Sequence, residues 1–290
     1  MVQLKFYENT EVFRAEILEV LLENESQNNL FISLITDSKA RYANDWLSAS
    51  VVGQNGITLT ALYVKPFNLL LYEPGNVQND DAVSLLAGEL HKIGCSPPGV
   101  TAESDVAARF ANAFCSGGAN TGGTNTTRKY SKYMSIAVMQ LDKPAVFEKA
   151  AGFCRELESR DMFFAPYWER AFSEDCRATV FSIPEITRRI KNRLGKSTHF
   201  FWEDGVPVSQ AVHGRDTPNG SVINHVYTPP HYRGRGYAAS VVALLSNSLL
   251  ERGMKFCCLF ADADNQASCG LYGKLGYREV CRFDDIRFDI

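Results

Sequence analysis

The sequence has no CxxC pair, no uninterrupted apolar run near the about eighteen residues of a membrane helix, no basic stripe and no signal-type apolar core in its first twenty residues. Each absence closes a class. Without an apolar span or signal core, the expectation is a cytoplasmic protein with no membrane partner. With 30 Lys and Arg against 33 Asp and Glu, the net charge of −3 gives no global field that draws nucleic acid. The eight cysteines are scattered, and Cys257 and Cys258 sit inside the apolar run KFCCLFA. Zinc sites need closely spaced ligand pairs and a 290-residue chain needs no disulfide staple, so these read as reduced thiols, with no metal expected.

What is present is a globular composition, 45% hydrophobic and 22% charged, in a length that suits one large domain or two ordinary ones. Val12, Ile17, Val20 and Leu21 predict one face of a helix from near Thr10, and a second apolar helix follows over 29–36. GITLTALYVKPFNLLLYEPG predicts two strands around a turn at Lys65–Asn68. Helices are expected over 80–94 and 104–114, the latter capped by Ser104, with a short strand or loop at SPPGV between them and a strand over 133–142 after them. CSGGANTGGTNTTRK, 115–129, reads as a surface loop.

The pattern then restarts. GFCREL is strand-like. A helix over 159–176 opens on Ser159 with Asp161 and is interrupted at Pro166, and PEITRRIKNRLG gives a second helix. Three strands follow, separated by turns at 203–205 and 216–220; then come a long helix from RGYAASVV, a buried strand KFCCLFADAD, a short helix ending at Gly276 and a last strand. The second half reads β-α-α-β-β-β-α-β-α-β and the first α-α-β-β-α-β-α-β, two copies of one α/β architecture, with domains expected over 1–143 and 144–290.

The copies differ before their central helices, where the first has the acidic EPGNVQNDD and the second has HVYTPPHYRGRGYAASV, 225–241. The segment from Gly234 to Ala239 satisfies the dinucleotide pattern G-x-G-x-x-A, but two prolines part it from its strand and about fifty residues remain after it. LGKST, 194–198, mimics a P-loop tail, yet Ile190 stands where glycine is required. A plain helix start explains the glycines but not Arg233 and Arg235, because cations at the positive end of a helix dipole are unfavourable unless an anion sits among them. Backbone N–H groups of Gly234 to Ala238, bare glycines and flanking guanidiniums make a pyrophosphate cradle.

Arg233-Gly234-Arg235-Gly236-Tyr237-Ala238 resembles the acyl-CoA motif Q/R-x-x-G-x-G/A of the GNAT (Gcn5-related N-acetyltransferase) superfamily. Asn265, Tyr272 and Gly276-Tyr277 resemble its downstream N…Y…GF/Y pattern. The motifs cover about 150–290, and the first half resembles the degenerate amino-terminal domain of two-domain GNAT proteins by layout only. The resemblance implies tandem GNAT-like domains, each a mixed, mostly antiparallel twisted sheet flanked by helices. It implies transfer of an acetyl group from acetyl-CoA to an amine of a small molecule or peptide, by direct attack in a ternary complex of a monomer or homodimer, without metal or nucleic acid.

On that resemblance the backbone of Val226, Tyr227 and Thr228 holds the pantetheine arm. The Val226 or Tyr227 amide polarises the thioester carbonyl, and residues 233 to 238 take the pyrophosphate. Tyr272 is the general acid: with an ordinary pKa of about 10 it stays protonated at neutral pH and donates to the leaving thiolate. Asn265 bonds the pantetheine amide, caps a helix, or does both. His225, His213 and Glu174 are candidates for the amine's proton or the acceptor pocket, alongside ordered water. The alternative function is a sensor or scaffold that binds acyl-CoA without turnover.

Overall fold

A computed structural model describes residues 2–37, 46–75, 78–117 and 128–289. The chain forms two compact units, Met1–Val138 with Val280–Ile290, and Met139–Glu279. The sequence boundary at 143 gave the last strand to the second domain, whereas this division puts the final eleven residues in the first unit.

The first unit runs β1 (Gln3–Tyr7), α1 (Thr10–Leu22), α2 (Asn29–Thr36), β2 (Trp46–Gly53), β3 (Gly56–Val64), β4 (Leu69–Tyr72), α3 (Asp80–Lys92), β5 (Gly99–Glu103), α4 (Ser104–Ser116) and β6, Tyr130–Leu141, whose last three residues belong to the other unit. The two strands that the sequence reading lacked, β1 and β2, are therefore present. Phe13, Ile17 and Leu21 form the buried stripe of α1, while Val12 is turned to solvent, contrary to its expected place on that face. These residues pack with α2 against Leu62 and Tyr72. On a second cluster, Val83, Leu86 and Leu90 of α3 meet Phe110 and Phe114 of α4. The last strand, β12 (Arg278–Phe288), joins this unit because Phe283–Arg287 pair antiparallel with Gly99–Glu103 and carry Ile286 and Phe288 into the same core. Ser104 does not cap α4; its hydroxyl bonds the Arg282 carbonyl.

The second unit runs β7 (Phe153–Glu156), a 3-10 turn over Ser159–Phe163, α5 (Ala165–Asp175), α6 (Ile183–Lys191), β8 (His199–Asp204), β9 (Val206–Gly214), β10 (Gly220–Tyr227), α7 (Tyr237–Glu251), β11 (Phe256–Asp262) and α8 (Gln266–Lys274). Pro166 divides the expected 159–176 helix into a 3-10 turn and α5. The capping box belongs to Glu158 and Asp161, not Ser159. Strand order is β11-β10-β9-β8-β7. Helices α5 and α6 cover one cluster through Ala165, Ile186, Ile190 and Phe201. Val241, Val242, Leu245 and Leu249 are the buried residues of α7.

Thus both halves follow one order, β-α-α-β-β-β-α-β-α-β, each a mixed sheet with helices. Among the described residues no helix is long and apolar enough to cross a membrane. Among the described residues no two cysteines are joined in a disulfide. Residues 118–127 of the expected surface loop lie outside the described residues.

Candidate acyl-donor site

The site begins where two strands part. β10 pairs parallel with β11 only from Gly220 to Val222, against Phe256 to Cys258. Beyond Val222 it follows β9 alone, and that register shifts between Asn224 and Tyr227. Two residues, His225 and Val226, there oppose the single Ala211, which is a bulge. His225 takes a left-handed backbone with φ of 49°. Val226 has no register partner on either neighbour. The bulge is pinned from β9: Gln210 donates to the His225 carbonyl at 3.3 Å, and Ser209 donates to the Tyr227 carbonyl at 3.2 Å and lies 2.8 Å from the Thr228 hydroxyl. Parting strands beside a pinned bulge leave an edge of free backbone, the element that pairs with an extended ligand.

After Thr228 the chain makes a 3-10 turn over Pro230–Tyr232 and enters α7 through two left-handed glycines, Gly234 at φ 79° and Gly236 at φ 78°. Gly236 is the helix N-cap, without a capping side chain. Among the described residues no backbone carbonyl takes an N–H between Gly234 and Ala239; the next amide, Ser240, bonds the Gly236 carbonyl. Left-handed glycines expose consecutive amides without side-chain cover, and at a helix N-terminus such amides bind anions. Tyr237 holds the turn in place. Its ring is buried and its hydroxyl donates to Asp204 at 2.5 Å, so only its backbone faces the cradle.

Arg233 and Arg235 differ. Arg235 is exposed. Arg233 donates through Nε to the Thr228 carbonyl at 2.9 Å and through Nη2 to Asp175 at 2.7 Å. It clasps the turn to the end of α5, and it occupies the Thr228 carbonyl that the sequence reading had offered to a pantetheine arm.

Asn265 caps α8, its Oδ1 accepting from the Ser268 amide at 3.1 Å. Tyr272 is buried on α8 and meets Tyr277 edge to face at 5.9 Å. The Tyr277 hydroxyl lies 2.8 Å from the Ser246 hydroxyl. Among the described residues nothing hydrogen-bonds the Tyr272 hydroxyl. Burial raises its pKa, with Cys176 at the end of α5 and Cys269 adding smaller effects in the same direction. It is a proton donor across the physiological range, not a base.

The three base candidates separate. Glu174 is half-exposed and paired with Arg170 at 2.9 Å. His213 is committed to the Ser197 carbonyl at 2.9 Å. His225 lies beside Phe172, and its Nε2 is 3.6 Å from Oε1 of Glu169, a buried carboxylate on α5 that also pairs with Arg193 at 2.5 Å. Burial, reinforced by Arg193, Arg215 and Arg189, pushes His225 down to about 3, so its ring is neutral and resists protonation, which makes it a weak base. Sequence reasoning missed Glu169. The one local signal was its position four residues after Ala165, on the buried stripe of α5.

In the first unit the corresponding helix start is filled by the chain itself. Asn79 caps α3, and Glu73 accepts from the Asn79 amide at 3.0 Å while pairing with Arg109. Residues 76–77 of that acidic stretch lie outside the described residues.

The family model for FR47-like proteins matches residues 204–285, which take in the bulge, the glycine turn and Tyr272. A curated relative from Yersinia pestis (strain Pestoides F), named an acetyltransferase, is 34% identical over 74 residues, 26% of this chain and 52% of the relative. The chain thus spans about half the length of the curated relatives it matches. Among solved structures, a GCN5-related N-acetyltransferase from Sphaerobacter thermophilus aligns with a TM-score of 0.58 at 17% identity, over 83% of this chain and 80% of that one. A tandem GNAT protein from the clavulanic acid biosynthesis pathway aligns with a TM-score of 0.59 at 13% identity, over 99% and 98%. At these identities the likeness is one of fold.

Proposed function

We propose that this protein, a tandem-fold member of the GNAT superfamily, moves an acetyl group from acetyl-CoA to an amine, and that its second half does the chemistry. One observation carries the reading: β10 leaves β11 after Val222 and runs into a glycine turn whose amides have no backbone acceptor among the described residues. A thioester arm laid along the free edge puts its diphosphate on Gly234–Ala239 and its carbonyl at the Val226 or Tyr227 amide. The donors there are fixed before the ligand arrives, so stabilising an oxyanion needs little reorganisation.

The amine nitrogen attacks the thioester carbon, a C–N bond forms and the C–S bond breaks. The amine's extra proton passes to ordered water, since His225 is held neutral and is too weak a base to take it. Tyr272 gives its proton to the departing sulfur. Asn265 serves first as the α8 cap that sets Tyr272 in place. Arg235, exposed beside the cradle and bonded to the Tyr237 hydroxyl, is the cation offered to diphosphate, and Arg233 acts by fixing its shape.

The test is acetyl transfer with a panel of amines, following release of the CoA thiol and acetylated product by mass spectrometry, with Tyr272→Phe alongside. Amine-dependent thiol release that drops in the variant supports the reading. Tight acetyl-CoA binding with no turnover of any amine converts the protein to an acyl-CoA sensor.

A further inference from the structure

Four non-glycine residues have positive φ among the described residues, and Arg215 is one, at 50°, just after β9. A side chain at that backbone angle is kept there by its surroundings against strain. Those surroundings are unusual for a cation. The Arg215 guanidinium carbon lies 5.3 Å from the centre of the Phe260 ring, and its Nε is buried without an acceptor. No carboxylate pairs with it among the described residues. The other well-covered arginines of this unit are matched: Arg155 pairs with Asp161 and Glu203, and Arg193 with Glu169. Burial draws the Arg215 pKa downward.

Its place in the fold is informative. Gly214, the preceding residue, pairs with Val222, and Val222 pairs with Cys258. Phe260 lies two residues beyond Cys258, on the length of β11 that has parted from β10. Arg215 thus follows the residue that pairs with Val222, where β10 and β11 part, and its guanidinium lies against Phe260 beyond that point; the same cation bears on the charge of His225. Glu169, the buried carboxylate that also faces His225, is already neutralised by Arg193.

We propose that Arg215 anchors the acceptor by its carboxylate, so that the acceptor is an amino-acid-type molecule carrying an amine and a carboxylate together. The proposal rests on the acetyltransferase reading for the role of the amine and on Arg215 alone for the carboxylate. A planar guanidinium matches a carboxylate through two parallel hydrogen bonds. One cation beside Phe260 and Cys258 neutralises a monoanion, whereas a phosphate dianion would keep an uncompensated charge against apolar walls.

Two arms test this. Calorimetry on the native protein compares N-acetylalanine, N-acetylalaninamide and inorganic phosphate. Binding of the free acid, with the amide and phosphate at least about 10²-fold weaker, is expected, because the amide leaves the guanidinium buried and unmatched. Equal binding of acid and amide, or preferred phosphate, overturns the anchor. The second arm is the ratio of kcat/KM for alanine over alaninamide. It should fall by a similar factor in Arg215→Gln and recover in part in Arg215→Lys; an unchanged ratio in Arg215→Gln also overturns it. If the free acid binds but no amine is acetylated, the anchor stands and the acetyltransferase reading fails.

Discussion

The rings of Tyr272 and Tyr277 meet edge to face at 5.9 Å, yet only the Tyr277 hydroxyl has a partner, Ser246 at 2.8 Å. Removing a hydroxyl that bonds nothing else among the described residues takes no hydrogen bond from the fold. Tyr272→Phe should therefore leave urea stability unchanged or slightly raised while lowering kcat by about 10²–10⁴-fold, the usual range for a general acid. KM for acetyl-CoA should stay near the native value. A stability loss above about 1 kcal/mol with kcat intact would make Tyr272 a packing residue.

Arg233 links the Thr228 carbonyl to Asp175. If its work is to hold the turn, Asp175→Asn and Arg233→Lys should weaken acetyl-CoA to the same degree, about fivefold for roughly 1 kcal/mol. If Arg233 instead binds diphosphate directly, Asp175→Asn frees it and tightens binding. Calorimetry on the two variants separates these outcomes.

The halves were legible as two copies because proline and glycine punctuate both, and the glycine turn was legible because its arginines have no turn-forming purpose. Strand β1 was missed because it is only five residues long and mostly exposed. Strand β2 was missed because Ser48 and Ser50 read as polar, although both are buried and Ser50 lies 2.8 Å from the Tyr7 hydroxyl. Val12 and Phe13 differ by one position, which turns a helical side chain by about 100°. Glu169 was invisible because the arginine that permits its burial, Arg193, arrives 24 residues later. Nor does any local pattern place β12 beside β5.

Gly236 caps α7 at φ 78°, where an added Cβ meets only Ala150 at 3.7 Å. The space is adequate but the backbone angle is not. Gly236→Ala should cost about 1–2 kcal/mol in urea unfolding and weaken acetyl-CoA by disturbing the cradle amides. Unchanged stability would mean that the turn relaxes freely.

His199 and His225 are both pushed down to about 3, chiefly by burial. The unfolded chain takes up these protons near pH 6.5, and the folded chain does not until about 3. Their contribution to stability is thus complete above about pH 6.5 and is lost as pH falls toward about 3. Urea midpoints at pH 7.5, 5.5 and 4.5 should decline in that order, and His199→Gln should flatten the decline. A midpoint independent of pH over this interval would show that both rings are solvated.

The most direct measurement is amide hydrogen exchange with and without acetyl-CoA. Slowed exchange is expected at Val226 and over Gly234–Ala239, with the α3 start around Asn79 unaffected because Glu73 already occupies it. Protection centred on the first unit, or no protection along the β10 edge and the glycine turn, would contradict the assignment of the donor site to the second half.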